Sequence, residues 1–403
     1  MIQPSALEGI RVLDMSRVLA GPYCSMLLGD YGAEVVKVER PRSGDDTRRW
    51  GPPWVQGESA YFLSVNRNKR SIAVNLKHPK GQEVLHHMVE QSDILLENFK
   101  TGALAAYGLD YPSLKDKHPS LIYCSISGYG RTGPQSQRPG YDFAVQAEGG
   151  IMSITGPADG GPHKVGVAIV DITAGLFATT AILAALHHRE KTGQGQFVDV
   201  SLLDSQVAWL ANIAQDHLLS GNIPYRRGNA HAHIVPYETF PTQDGHLALA
   251  IGNDGQYQRL CSVLNSPELW DDTRYQTNAG RVKHRDELVP LLQEVFQTKA
   301  TEEWLEQLLK EGLPAGAIND LSQVFAHPQL QARNMLQTVE HPTIGPLPQV
   351  GPVAKMSETP ATIRSAPPLL GADTFTVLHE WLNYDDATIK SLAQEEAIAL
   401  EGS

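Results

Sequence analysis

Residues 165–186, VGVAIVDITAGLFATTAILAAL, hold one ionisable side chain, Asp171, in a run of otherwise uncharged and mostly apolar residues. Two chemistries are open to a carboxylate placed there. It can cap a helix, with VGVAIV as a strand and ITAGLF onward as the helix, although no Glu or Gln follows three positions later to complete a capping box. It can also act as a nucleophile, because a poorly solvated carboxylate at a strand-to-helix turn attacks more readily than one in water. Pattern alone favours the cap. The run is long enough to cross a bilayer, but a mid-membrane Asp costs about 2.5–3.5 kcal/mol and the flanking aromatic anchors are missing. A buried strand followed by a buried helix is the better expectation.

Other candidates lie where strands end. The first 130 residues alternate strand patterns (RVLDM, EVVKVE, SIAVNL, DILLEN, LIYCSIS) with helical ones (YCSMLLGDYG, PKGQEVLHHMVEQS, and the GALAAYGL region). Alternation of this kind implies right-handed crossovers and a parallel sheet, whose ligands bind beyond the carboxyl ends of its strands. Those ends carry residues 16–19, Arg40, residues 75–77, residues 98–100 and residues 127–129. Each of Arg40, Lys77 and Lys100 alone reads as solvated surface charge. Together, at equivalent strand ends, they point to a phosphate-bearing ligand.

Several familiar chemistries find no support. Residues 128–133, GYGRTG, match G-x-G-x-x-G, yet they follow a late strand and lead into Pro134 rather than a helix, so dinucleotide binding is not expected. There is no P-loop, no H-E-x-x-H and no G-x-S-x-G motif. Paired histidines at 86–87 and 187–188 point different ways on a helix; His231 and His233 could share one face of a strand but lack a third ligand, so no metal is expected.

The bulk properties agree. A chain of 403 residues exceeds the usual size of one core, so two domains are expected. A net charge of −12 argues against nucleic acid as a partner. Cys24, Cys124 and Cys261 form no paired motif, and the N-terminus has no signal pattern, which fits a cytoplasmic protein. In the second half, HLALAIGNDGQYQRLCSVL reads as strand, Gly loop and helix, RDELVPLLQEVF and TEEWLEQLLKEG as amphipathic helices, and residues 341–368 as a Pro-rich, strand-poor connection.

The stretches VLDMSRVLAGPYCSMLLGDYGAEVVKVERPRSGDDTR, NKRSIAVNLK, DILLENFKTGALAAYGL, RPGYDFAVQAEGG, VGVAIVDITAG and KTGQGQFVDVSLLDS resemble, in order, the class III CoA-transferases. The resemblance implies an α/β fold with a Rossmann-like large domain, a smaller α/β domain and an interlocked homodimer. Residues 1–205 would open the large domain, 206–225 form a linker, 226–325 the small domain, and 326–403 a C-terminal return completing the large one. It places the family's nucleophile on Asp171. It places the CoA contacts on Val18, Leu19, Arg40, Val74, Asn75, Leu76, Lys77, Asn98, Phe99 and Lys100, with Tyr141 and Asp142 near the thioester. Gly252, Asn253, Asp254, Gly255 and Gln256 match the glycine-rich loop that covers the intermediate. The implied activity is transfer of CoA from an acyl-CoA to a small carboxylic acid, with the CoA thioester as substrate and no tightly bound cofactor.

Departures narrow that activity. Leu19 stands where formyl-CoA transferase has Gln, Ala106 where it has a CoA-binding Arg, and Gly-Asn-Asp-Gly where it has four glycines, so oxalate with formyl-CoA is a poor expectation. RRGNAHAHIVPYETF looks more like members that move CoA between succinate and glutarate-type diacids, and Arg226, Arg227, His231 and His233 could meet a second carboxylate. The alternative is an acyl-CoA racemase of the same fold, which needs a His where this chain has Tyr141, a poor base near neutral pH.

Overall fold

A computed structural model describes residues 5–400. They divide into two compact units: one takes in the chain up to Ile151, Val165–Gln215 and the stretch from Gln329 onward, the other Met152–Lys164 and Asp216–Pro328.

The first unit is built on a seven-stranded sheet in the order Ile398–Ala399, Lys69–Val74, Glu34–Glu39, Arg11–Asp14, Ile94–Glu97, Ile122–Ser127, Phe197–Ser201. Every pairing is parallel except that of Ile398–Ala399 with Lys69–Val74. Its central strands carry apolar runs, Val12–Leu13, Val35–Val36, 94–96 and 122–124, because a parallel sheet is covered on both faces. After Arg11–Asp14 the chain adds two strands on one side, then three on the other. Strand order therefore reverses between Arg11–Asp14 and Ile94–Glu97, and the crevice beyond their carboxyl ends is where such sheets bind ligands.

Helices cover both faces. Ala20–Asp30 and Ile169–Thr192 bury Ala20, Cys24, Leu28, Val170, Ala174, Ala178 and Ile182 against Val12, Val35, Leu96 and Ile122. Gly175 permits the close crossing of these two helices, since a Cβ there would lie 2.7 Å from the Ala20 carbonyl oxygen. On the opposite face Pro79–Glu90, Thr374–Leu382 and Asp386–Gln394 pack Leu85, Met88, Val377, Trp381 and Ile389 onto Leu13, Val36, Ile72 and Leu95. Ile169–Thr192 is long and apolar enough to cross a membrane by length and composition, and one of its faces is the one packed on the sheet.

The structure corrects several local expectations. VGVAIV is not a strand: residues 165–168 are irregular and the helix starts at Ile169. A short apolar run carries no period that separates a buried strand from a helix start. Only one turn of 3₁₀ helix, Ala105–Tyr107, forms in the GALAAYGL region. The 206–225 stretch, expected as a linker, contains the helix Ala211–Ser220. Within the Pro-rich stretch, Gly345–Val350 pairs with Leu336–His341 as a hairpin. Each strand of a two-stranded ribbon has a free edge, so Pro346 and Pro348 can turn their missing donors outward.

The second unit holds an antiparallel sheet, Ala315–Ala317, His246–Ala250, Tyr237–Pro241. Its core brings Phe240 and Leu249 together with Tyr257, Leu292, Phe296 and Trp304 from the helices Asp254–Val263, Arg285–Phe296 and Thr301–Lys310.

Candidate active site

Beneath the switch point lies a set of paired buried charges. Asp14, at the end of the first strand, accepts hydrogen bonds from the Ser16 N–H at 2.9 Å and from the Ser16 and Ser25 hydroxyls at 2.5 Å, with Lys69 Nζ at 3.3 Å. Lys37 Nζ meets Asp45 at 2.9 Å and donates to the Ser16 carbonyl at 2.9 Å. Burial by itself pushes a carboxyl up, but the ammoniums of Lys69 and Lys37 outweigh it and hold Asp14 below its ordinary range. For Asp45, Lys37 and the bonds from Thr47 overcome burial and bring the carboxyl down to about 2. Burial wins at Lys69, whose ammonium is lowered to about 8.

This network holds the turn after the first strand. Asp45 accepts the Val18 N–H at 3.3 Å, while Asn98 clamps Arg17 from both sides, accepting its N–H at 2.9 Å and donating to its carbonyl at 2.7 Å. Val18 sits at φ +70°, a left-handed conformation that costs a β-branched residue about 1–3 kcal/mol. Tertiary contacts, not local preference, fix the turn.

Two cavities open around it. One of about 660 Å³ is lined by Arg40, Val74, Asn75, Leu76 and Lys77, with Tyr107 and Glu396 among the others. The second, of about 220 Å³, is lined by Val18, Leu19, Asn98, Lys100, Tyr141 and Asp171. Arg17 and Phe99 line both. Every CoA contact expected from the sequence thus lies on one of two adjacent cavities, except Asp142. Arg40 is paired with Asp46, whereas the ammoniums of Lys77 and Lys100 have no ion-pair partner among the described residues.

Asp171 lies in the first turn of the helix, three residues after the N-cap position, which Ala168 occupies without a side-chain bond. The capping role expected of Asp171 belongs to Asp142, whose Oδ1 accepts the Val170 N–H at 2.8 Å. The other Asp142 oxygen accepts from Gln146 Nε2 at 2.7 Å, and Gln146 Oε1 accepts the Val165 N–H at 2.9 Å. Asp142 is therefore buried beside the chamber rather than lining it, while Tyr141 is 66% exposed. Asp171 itself has no hydrogen-bond or cationic partner among the described residues. Burial, then the charge of Asp142, pushes its carboxyl up to about 7. Tyr61 stands in the same electrostatic neighbourhood: burial and then the charge of Asp171 raise its phenol to about 12.

Sequence reasoning missed Arg17 as a lining side chain, although the strand-end rule reached its position, and it missed Tyr61, Arg131 and Arg138. Arg131 and Arg138 line the smaller cavity but are taken by Glu97 at 2.7 Å and by Glu148. The GYGRTG loop runs on without a helix, and Gly128 is needed because a Cβ there would come within 2.6 Å of the Gly140 Cα.

The remaining expected residues fall in the second unit. In the 252–256 loop, Gly252 N–H donates to Gln256 Oε1 at 2.7 Å, Asn253 caps the following helix by accepting the Gln256 N–H at 2.9 Å, and Asp254 pairs with Arg281 at 2.9 Å. Two of the loop's amides are thereby taken by side chains. His231 and His233 are not on a strand; His233 pairs with Asp216 at 2.9 Å and its N–H donates to His231 Nδ1 at 3.0 Å. Arg227 lies over the Tyr225 ring, and Arg226 donates to the Gly160 carbonyl at 2.8 Å.

Comparison with known proteins matches residues 7–374 to CoA-transferase family III. Succinyl-CoA:glutarate CoA-transferase from Homo sapiens is 47% identical over 386 residues, covering 96% of this chain and 88% of that protein. Succinate–glutarate CoA-transferase from Agrobacterium fabrum is 46% identical, covering 93% and 95%. A CAIB/BAIF family protein from Brucella suis has a crystal structure that superposes with a TM-score of 0.84 at 43% identity, over 94% of this chain and all of that one.

Proposed function

Because the chain belongs to CoA-transferase family III, we propose that its two cavities seat an acyl-CoA and that Asp171 carries the acyl and CoA groups in turn. The enzyme is an acyl-CoA:carboxylate CoA-transferase that moves CoA from succinyl-CoA to a short dicarboxylic acid, as its relatives named for glutarate and mesaconate support. The observation that carries the mechanism is Asp171: a desolvated carboxylate with no counter-ion among the described residues, on a small chamber that shares Arg17 and Phe99 with a cavity of about 660 Å³.

In the proposed sequence, an Asp171 oxygen attacks the thioester carbonyl, the carbon–sulfur bond breaks, and CoA leaves as thiolate from a mixed anhydride. The thiolate then attacks the Asp171 carboxyl carbon, expelling the donor acid as carboxylate and leaving an aspartyl-CoA thioester. The acceptor carboxylate attacks that thioester, the thiolate leaves again, and its attack on the acceptor's carbonyl yields the new acyl-CoA and frees Asp171. Each thioester replaces another, so no phosphoanhydride is consumed. Lys77 and Lys100, without ion-pair partners among the described residues, suit the phosphates and carboxylates of the substrates. The exposed apolar residues Leu176, Phe177, Val207 and Trp209 suit a dimer contact, which light scattering would read as twice the chain mass. The cytosol is the proposed compartment, on the strength of three unbridged, buried cysteines.

The test is acyl-CoA exchange followed by mass spectrometry, with succinyl-CoA and acetyl-CoA offered against glutarate, hydroxymethylglutarate, itaconate, malate, oxalate and carnitine. The expected product is a new dicarboxylyl-CoA, lost by about a thousandfold or more in Asp171→Asn. Full turnover by that variant would sink the mechanism. Deuterium entering the α-carbon of a branched acyl-CoA, without exchange, would restore the racemase alternative.

A further inference from the structure

The long helix bearing Asp171 has no cap of its own. Ala168 occupies the N-cap position, and the 165–168 entry is irregular. What fixes the entry comes from another helix, Asp142–Glu148: Asp142 takes the Val170 N–H and Gln146 takes the Val165 N–H, and the two side chains are bonded to each other. All four groups are buried or part-buried. Val170 immediately precedes Asp171, so the bond that orients the first turn also sets where the Asp171 side chain leaves the helix.

We propose that Asp142 is a positioning residue for Asp171: its carboxylate caps the helix in place of the missing local cap and stands as a fixed second negative charge beside the nucleophile. The inference rests on Asp171 as nucleophile. The arrangement does two things with one group. A carboxylate that accepts from an amide at a helix N-terminus is electrostatically favoured there. The same charge opposes ionisation of Asp171, making that carboxylate more basic than burial alone would leave it. The other titratable groups facing Asp171 are Tyr61, from the helix Ala60–Ser64, and Arg17, Lys100, Arg131, Arg138 and Tyr141 around the chamber. Of these, Arg131 and Arg138 are held by Glu97 and Glu148, and Arg17 by Asp46.

Asp142→Asn keeps an oxygen for the Val170 N–H and removes the charge, whereas Asp142→Ala removes both. The readout is the Asp171 carboxyl band in infrared spectra of the intact enzyme across pH, identified by its loss in Asp171→Asn, alongside kcat/KM profiles. In Asp142→Asn the infrared midpoint and the acid limb of kcat/KM move down together by about one pH unit, with the KM for acyl-CoA unchanged within about twofold. In Asp142→Ala kcat falls tenfold or more, about the effect of losing one oriented group. An Asp142→Asn midpoint coinciding with wild type overturns the proposal, as does wild-type kcat in Asp142→Ala. If the Asn variant does not fold, Asp142→Ser retains a capping oxygen without charge and is read against the same midpoint. Transfer surviving in Asp171→Asn would defeat the nucleophile assignment instead, and the infrared midpoint would still decide whether Asp142 governs Asp171.

Discussion

Asp14 and Asp171 are both poorly solvated carboxylates of the same unit, and they are held in opposite states. Asp14 has a lysine, two hydroxyls and an amide around it, and is kept ionised against the cost of burial. Asp171 has no hydrogen-bond or ion-pair partner among the described residues, and burial, then the charge of Asp142, pushes it up to about 7. Removal from water is common to both. The partner decides whether a buried carboxylate is a structural anchor or a reagent. Paired charge beneath the switch point holds the turn; unpaired charge above it is available for bond making.

The largest effect expected from breaking this contrast is on the paired side. Lys69→Met leaves Asp14 buried with one cation fewer and should cost about 3–5 kcal/mol in urea unfolding. A loss under about 1 kcal/mol would mean that the hydroxyls and Lys37 suffice to hold Asp14.

On the unpaired side the sign reverses. Asp171 titrates higher folded, at about 7, than its ordinary value of 3.8, so ionising it opposes folding. That penalty is fully present above pH 7, fades as pH falls through 7, and is gone by about pH 4. Asp171→Asn should therefore stabilise the protein by about 2–4 kcal/mol at pH 8, with a gain that vanishes towards pH 4. Thermal melts at several pH values check it; a gain independent of pH would deny that Asp171 is perturbed.

The smallest effect sharpens the comparison at the turn between the two carboxylates. Val18→Gly relieves the left-handed strain but frees the unfolded chain, so stability should change by less than about 1 kcal/mol while KM for acyl-CoA rises. An unchanged KM would show that the turn needs no fixed backbone to accept substrate.

Much of this was legible in the sequence. The parallel strands were, because a sheet covered on both faces demands apolar runs, and their ends led to Arg40, Lys77 and Lys100, each of which lines a cavity. Asp171 was visible as a lone carboxylate in an apolar run. Lys37 and Lys69 were not. EVVKVE and NKRSIAV carry no sign that these lysines are interior, and both are buried. Nothing local to either lysine announces Asp45 or Asp14 as its partner.

The sequence by itself determined the alternating strands and helices of the first 130 residues, the parallel character of their sheet and a lone carboxylate at Asp171, since hydrophobic period is a local property; the resemblance to a family, not the pattern, made Asp171 the candidate nucleophile. Only the tertiary structure decided that Asp142 caps the helix of Asp171, 29 positions further along the chain, that Lys37 and Lys69 are interior charges, and that Val18 is held left-handed. Each depends on a polar group from a distant segment arriving within about 3 Å, the reach of a hydrogen bond, which packing fixes and sequence spacing does not.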